Sequence, residues 1–197
     1  PSKAHVKTPS SGFQKKVIDS TEILDSTEFF DDLTGAFLSG FFKNGELDSM
    51  RLEGMSTTLY HIFEDSVYQG KNETSGDTII ISFKNKETNN IIVIGGAEGS
   101  FYPDTISSTI KSPIFYSASR INYRLQEEET DLDGYSKIRH DNTELESGYI
   151  KVNWKTNLLN ALPQSNIDQF FKPINPVIIE RGKDPMTGIK MDYNLKT

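Results

Sequence analysis

Two runs of β-branched residues, separated by a short polar segment, constrain the fold of this chain more than any other feature. The first run covers residues 78–83 (TIIISF) and the second covers residues 91–94 (IIVI). β-Branched side chains favour extended backbone because they pack well on a pleated surface. We therefore predict a β-hairpin over residues 78–95, with its turn within 84–90, and expect the rest of the fold to be built around it.

The composition limits what the chain can do. It has 197 residues, a formal net charge of -7 and no Cys. An acidic chain repels phosphate, which argues against a broad nucleic-acid surface, and the lack of Cys excludes disulfides, Cys-bound zinc and thiol catalysis. Residues 1–12 lack the apolar core of a signal peptide, and no apolar run approaches the ~20 residues that a membrane helix needs.

The spacing of apolar residues predicts helices before the hairpin and strands after it. Apolar residues recur at steps of three and four within residues 13–43 and 47–68, which is typical of amphipathic helices. Alternation predicts four further strands, over residues 114–125, 135–139, 148–154 and 177–179. We expect a bulge near Ser119 in the first of them and a hairpin turn at Asp133-Gly134 before the second. Helices followed by strands favour the α+β class, with helical segments packed on a mainly antiparallel sheet.

The domain layout follows from the same patterns. We expect an N-terminal arm over residues 1–12, one α+β domain over 13–180 and a C-terminal arm over 181–197, both arms being extended. A short helical piece is expected at 158–162, ended by Pro163. The expected core contains large apolar side chains from both kinds of element: Phe37, Phe41, Ile80, Phe83, Ile92, Ile94 and Trp154.

One short pattern predicts a partner-binding site. Residues 164–171 read QSNIDQFF, and a single 3₁₀ turn places three apolar side chains on one side as a plug. The pattern resembles the box through which replication and repair proteins dock on the sliding clamp. That resemblance implies partner-binding roles for Gln164, Ile167, Phe170 and Phe171. The alternative is that the three apolar residues belong to the core of a short helix.

The remaining motifs predict no catalytic, cofactor or metal site. The glycines at 95–99 lack the Lys and the following Ser or Thr of a phosphate-binding loop, and His5, His61 and His140 lack metal-ligand spacing. Residues 72–74 (NET) match a glycan acceptor. A carboxylate pair for glycosidase chemistry stays open, because 28 acidic residues offer many pairs.

Three functions are compatible with these observations. The layout of arms around a helix-plus-sheet body resembles the small tail, neck and baseplate proteins of tailed bacteriophages. It implies a non-enzymatic assembly protein, with other protein subunits as partners in a homo- or hetero-oligomer, located in the virion or the host cytoplasm. The alternatives are a replication or repair accessory that binds a sliding clamp, and a carboxylate-based hydrolase.

Overall fold

The computed structural model describes residues 4–9, 30–164 and 174–196. Within these ranges the chain forms thirteen strands and no helix. Their bounds are β1 Ala4–Pro9, β2 Phe30–Gly35, β3 Phe37–Lys43, β4 Glu46–Glu64, β5 Val67–Lys84, β6 Glu87–Pro103, β7 Ile114–Arg124, β8 Glu129–His140, β9 Thr143–Asn153, β10 Leu158–Leu162, β11 Val177–Glu180, β12 Met186–Thr187 and β13 Met191–Asn194. No helix in the described ranges is therefore long and apolar enough to cross a membrane.

The strands pair antiparallel, mostly with their neighbours in sequence. The order is β1-β2-β4-β5-β6-β7-β8-β9-β10-β13, with β3 beside β4, β11 beside β9 and β12 beside β11. Three hairpins close through two-residue turns in which both residues have positive φ, at 44–45, 65–66 and 85–86. This is the turn geometry that matches the twist of a β-hairpin.

A row of β-bulges divides the long strands into two halves. The pairing register shifts between Glu53/Ser56 in β4, Ser75/Thr78 in β5 and Ile94/Ala97 in β6, and at the same level in β7 and β8. Three of the strands carry two consecutive residues with positive φ at this level: Gly54-Met55, Gly95-Gly96 and Gly134-Tyr135. Bulges bend a strand and increase its twist, so the bends lie side by side and fold the sheet over.

The two halves form facing layers, named sheet I and sheet II here. Sheet I contains β3, β10, β13 and residues 46–53, 78–84, 87–94, 120–124, 129–133 and 149–153 of the long strands. Sheet II contains β1, β2, β11, β12 and residues 56–64, 67–76, 97–103, 114–117, 136–140 and 143–147. Strand β9 changes sheets at Gly148, since it pairs with β11 before this residue and with β10 after it.

The core lies between the sheets, in a register one residue away from the predicted one. Ile79, Ile81, Ile91 and Val93 are buried. Ile80 and Ile92 are only partly buried and face outward, and Ile94 is exposed. Of the other predicted core residues, Phe83 and Trp154 pack partly buried against the core, whereas Phe37 and Phe41 are exposed. A shift of one residue moves a whole strand's side chains to the other face.

The predicted α+β class is wrong, because strands replace the expected helices. Residues 30–43 form β2 and β3, residues 47–68 lie in β4 and β5, and the expected helical piece at 158–162 is β10; residues 13–29 lie outside the described ranges. Bulges explain the error in 47–68, because they interrupt the two-residue alternation and create helix-like spacings. Parts of both expected arms are also strands paired within the chain, β1 with β2 and β13 with β10.

The later strands agree better with the sequence. The hairpin over 78–95 is present as the central part of β5 and β6, and the strands expected at 114–125, 135–139, 148–154 and 177–179 lie in β7, β8, β9 and β11. The bulge near Ser119 is confirmed by the register shift between Ser117 and Arg120. The hairpin turn at Asp133-Gly134 is wrong, since this pair forms the bulge inside β8.

Candidate functional site

The space between the two sheets has one apolar wall and one partly polar wall. Sheet I supplies buried aliphatic side chains, namely Met50, Leu52, Ile79, Ile81, Ile91, Val93, Ile121, Leu132, Ile150, Val152 and Leu159. Sheet II adds buried polar side chains, namely Ser56, Thr58, Asn72, Thr74, Ser136, His140 and Ser147. Buried polar groups are costly unless they are hydrogen-bonded, so the polar wall is the chemically distinctive part of the interior.

Four polar side chains of this interior form a closed ring of hydrogen bonds. Tyr116 donates its hydroxyl proton to Asn72 Oδ1, and Asn72 Nδ2 donates to Thr74 Oγ1 at 2.9 Å. The Thr74 and Tyr123 hydroxyls lie 2.9 Å apart, and Tyr123 donates to Tyr116 Oη at 3.0 Å. Each hydroxyl can therefore donate once and accept once. Since Tyr123 belongs to sheet I and the other three to sheet II, the ring joins the two sheets.

The strands place the ring residues by simple periodicity. Asn72 and Thr74 are two residues apart on β5 and so point to the same face. Tyr116 and Tyr123 lie on either side of the β7 bulge, which puts one in each sheet. The rings of these two tyrosines pack edge to face, with their centroids 6.3 Å apart. Tyr60 of β4 packs in the same way on Tyr123, with a centroid distance of 6.1 Å.

Burial keeps the interior phenols neutral. It raises the pKa of Tyr60 and of Tyr116 well above 10, and it also raises that of Tyr123, which the hydrogen bond with Thr74 partly offsets. Loss of solvent disfavours the charged phenolate. These groups therefore act as neutral hydrogen-bond donors and acceptors rather than as general bases near neutral pH.

Two hydroxyls beside the ring lack a hydrogen-bond partner. Ser56 is 0% exposed and Thr58 is 3% exposed, and neither hydroxyl is hydrogen-bonded within the described part of the chain. Thr58 pairs directly with Thr74 of the ring across β4 and β5. The Gly35 backbone packs closely beside this hydroxyl, since a Cβ added to Gly35 would lie only 3.2 Å from Ser56 Oγ and 3.3 Å from Leu52 Cβ.

Strand β3 forms an exposed edge of sheet I beside the core, and we name this edge the β3 mouth. All seven residues of β3 are exposed. Leu38 pairs with the core residue Leu52, and Phe42 pairs with Leu47, which packs against the core, so both side chains face the inter-sheet side. They are nevertheless 36% and 71% exposed. The mouth therefore presents apolar side chains that continue the core into solvent.

The outer faces of both sheets are polar. A groove of about 450 Å³ on sheet II is lined by Thr, Ser and acidic side chains, including Thr57, Glu73 and Glu98. A smaller hollow of about 200 Å³ on sheet I contains Asp131 and Tyr149. Beside it, ion pairs join Arg124 to Glu129 at 2.6 Å and to Asp131 at 3.1 Å. The described residues contain no group of three or more side chains placed to hold a metal ion.

The predicted partner-binding residues are only partly described. Gln164 lies at the bend of the sandwich, where its Nε2 donates to Asp133 Oδ1 at 3.4 Å. Ile167, Phe170 and Phe171 lie outside the described residues. Their role in partner binding therefore stays a prediction. Sequence reasoning missed the ring: the NET triplet suggested a glycan acceptor, yet Asn72 is 2% exposed and faces the interior.

Comparison with known proteins identifies the fold. No protein-family model matches the chain, and no curated protein matches it by sequence. Among solved structures it is similar to LptH from Pseudomonas aeruginosa, described as the LptA-homologous periplasmic component of the lipopolysaccharide transport device. The TM-score is 0.60 at 11% identity, over 77% of this chain and 94% of LptH. The two proteins share one fold. This chain is thus an all-β, LptA-like jellyroll.

The likeness to LptH corrects the functional predictions. The predictions of a tailed-phage tail, neck or baseplate component, a sliding-clamp accessory and a carboxylate hydrolase are contradicted. The described residues contain no helix-plus-sheet body, and the solved structure that shares their fold is described as a component of a lipopolysaccharide transport device. The preferred location in the virion or host cytoplasm conflicts with the periplasmic location of LptH. The expectation that the chain has protein partners agrees with the description of LptH as one component of a larger device, whereas the identity of the partners is not given by this comparison.

Proposed function

We propose that this protein is a non-catalytic periplasmic carrier that shields the acyl chains of a lipopolysaccharide-type glycolipid between its two sheets. Likeness of fold alone does not assign function. The observation that carries the proposal is the β3 mouth, where Leu38 and Phe42 face the inter-sheet side and remain exposed. Exposed contiguous apolar surface marks interaction sites for partners or lipids.

The inter-sheet space suits an acyl chain for a second reason. Its sheet I wall consists mainly of aliphatic side chains that run from β4 to β10, with Tyr123 and Thr130 as the buried polar exceptions and no charged residue among the buried ones. Burying one methylene group contributes about 0.8 kcal/mol, so a chain that enters from the mouth gains affinity with each carbon it inserts. The polar outer faces keep the filled carrier in water.

Photo-crosslinking at the mouth tests the carrier proposal. A photo-crosslinking amino acid placed at Leu38 is expected to label lipopolysaccharide, because this position faces the inter-sheet side. The same group placed at Ser39 is the matched control, since Ser39 is equally part of β3 and pairs with Arg51 on the outer side. Labelling is measured by the mobility shift of the protein on a denaturing gel. Equal labelling at both positions, or none at Leu38, contradicts the proposal.

The partner in this function is a second copy of the chain. Sheet I ends in β3 on one side and in β13 on the other, and neither pairs further within the described ranges. Unpaired edge strands are templates for adding a strand from another chain. Joining β3 of one copy to β13 of the next would extend sheet I, and with it the apolar wall, from copy to copy.

A charge on the outer side of β3 is expected to weaken this assembly. Phe41 is 52% exposed and lies on the edge strand, so Phe41→Lys places a charge where the added strand would pack. The mass from light scattering is expected to rise with concentration for the unaltered chain and to stay monomeric for the variant. Ile106→Lys is the control, because Ile106 is 89% exposed in a loop away from β3. If both variants assemble like the unaltered chain, the edge-strand partner is wrong.

A further inference from the structure

We propose that the buried hydroxyls of Ser56 and Thr58, with the adjoining ring of Asn72, Thr74 and Tyr116, form a subsite for a hydroxyl or amide group carried on the ligand's acyl chain. This inference rests on the proposed function and adds to it a chemical preference. It does not follow from an acyl-binding role alone, because a plain hydrocarbon chain needs no polar wall.

The first argument is the hydrogen-bond balance of the polar wall. The ring is closed, with each hydroxyl donating once and accepting once. Ser56 and Thr58 stand outside this ring and have no partner among the described residues, although both are almost fully buried. Leaving such hydroxyls unsatisfied costs stability, so a wall that served packing alone would be better built from Ala and Val.

The second argument is the position of the two hydroxyls. They are two residues apart on β4, so they point to the same inward face. Strand β4 also carries Met50 and Leu52 of the apolar wall and pairs with β3, which forms the mouth. An acyl chain entering from β3 would therefore meet the apolar wall on one side and these hydroxyls on the other.

Competition binding with hydroxylated fatty acids tests the subsite. Stearate and hydroxystearates with the hydroxyl at different carbons displace a fluorescent fatty acid from the full chain. One neutral hydrogen bond corresponds to about a fivefold preference, so at least one hydroxystearate is expected to bind about fivefold tighter than stearate. The carbon that gives the largest preference measures the distance of the subsite from the carboxylate.

Variants on β4 assign the preference to its residues. The double variant Ser56→Ala with Thr58→Val is expected to bind stearate as before and to lose the preference. Thr57→Val is the control, because Thr57 lies between the two and is exposed on the outer face. The thermal midpoint of the double variant is expected to stay unchanged or to rise, since unsatisfied hydroxyls are removed.

The outcomes separate this inference from the proposed function. Equal affinity for stearate and every hydroxystearate overturns the subsite and leaves the carrier standing. A preference that survives in the double variant, or a lowered thermal midpoint, overturns the assignment to Ser56 and Thr58. If stearate and all hydroxystearates fail to displace the probe, the acyl carrier itself is contradicted.

Discussion

Replacing Gly99 by valine is expected to lower the free energy of unfolding by about 4 kcal/mol, a large fraction of the stability of a typical domain. Gly99 lies on β6 under the ring of Tyr116, and a Cβ added there would come within 2.8 Å of Tyr116 Oη and still closer to the ring carbons. Overpacking a core typically costs about 1–3 kcal/mol. Displacing Tyr116 also breaks its bonds to Asn72 and Tyr123, which adds about 1–3 kcal/mol.

Urea unfolding followed by fluorescence measures this effect. Ser100→Val is the matched control, because Ser100 is the next residue on β6 and faces outward. The control is expected to change the unfolding free energy by less than about 0.5 kcal/mol, as surface substitutions usually do. A Gly99→Val variant as stable as the control would show that Tyr116 does not pack over Gly99.

Raising the pH from 9 to 11 is expected to remove about 3 kcal/mol of stability through the buried tyrosines Tyr60 and Tyr116, with a further loss through Tyr123. Burial raises the pKa of Tyr60, Tyr116 and Tyr123 above 10 in the folded chain. The unfolded chain therefore loses protons above pH 10 that the folded chain keeps. Stability is fully present below pH 10 and falls above it, by at most about 1.4 kcal/mol for each tyrosine at pH 11.

Unfolding free energies measured across this pH range test the linkage. The variant Tyr123→Phe starts less stable, because its ring partners lose a bond, but its loss of stability between pH 9 and 11 is expected to be smaller than that of the unaltered chain. Tyr135→Phe is the control, since Tyr135 is 71% exposed and does not belong to the buried ring. A pH dependence that Tyr123→Phe does not alter would contradict a buried, neutral Tyr123.

The sequence predicts the later strands well because their alternation is regular. In β7 the apolar positions Ile114 and Tyr116 step by two, and the slip before Ile121 marks the bulge that the structure contains. The register of the 78–95 hairpin could not be predicted in this way. Its runs are apolar at consecutive positions, so alternation does not say whether Ile79 or Ile80 faces the core.

The first half of the chain was mispredicted for a physical reason. In β4 the buried residues are Met50, Leu52, Ser56 and Thr58, so the regular step of two is broken at the bulge. Steps of three and four then arise between apolar residues, which is also the signature of a helix. Phe41 was expected in the core because it is large and aromatic, yet it lies on an edge strand with nothing packed outside it among the described residues.

The polar wall could not be assembled from the sequence. Tyr116 and Tyr123 lie on β7, whereas Asn72 and Thr74 lie on β5, with the whole of β6 between them in sequence. The bulge in β7 places the two tyrosines in opposite sheets with both side chains facing the interior. No local pattern marks such a long-range contact. The β3 mouth could not be predicted from local sequence either. Leu38 and Phe42 are exposed because β3 is the last strand of sheet I, and strand order is not visible in the sequence.

Native mass spectrometry of the full chain, purified from the periplasm of a Gram-negative host, tests the central claim most directly. The account expects a bound species whose mass matches an acylated lipid, and expects Leu38→Asp with Phe42→Asp to remove it while the outward-facing pair Ser39→Asp with Phe41→Asp retains it. A lipid-free mass for the unaltered chain, or a lipid equally retained by both double variants, would contradict a carrier that loads between its sheets.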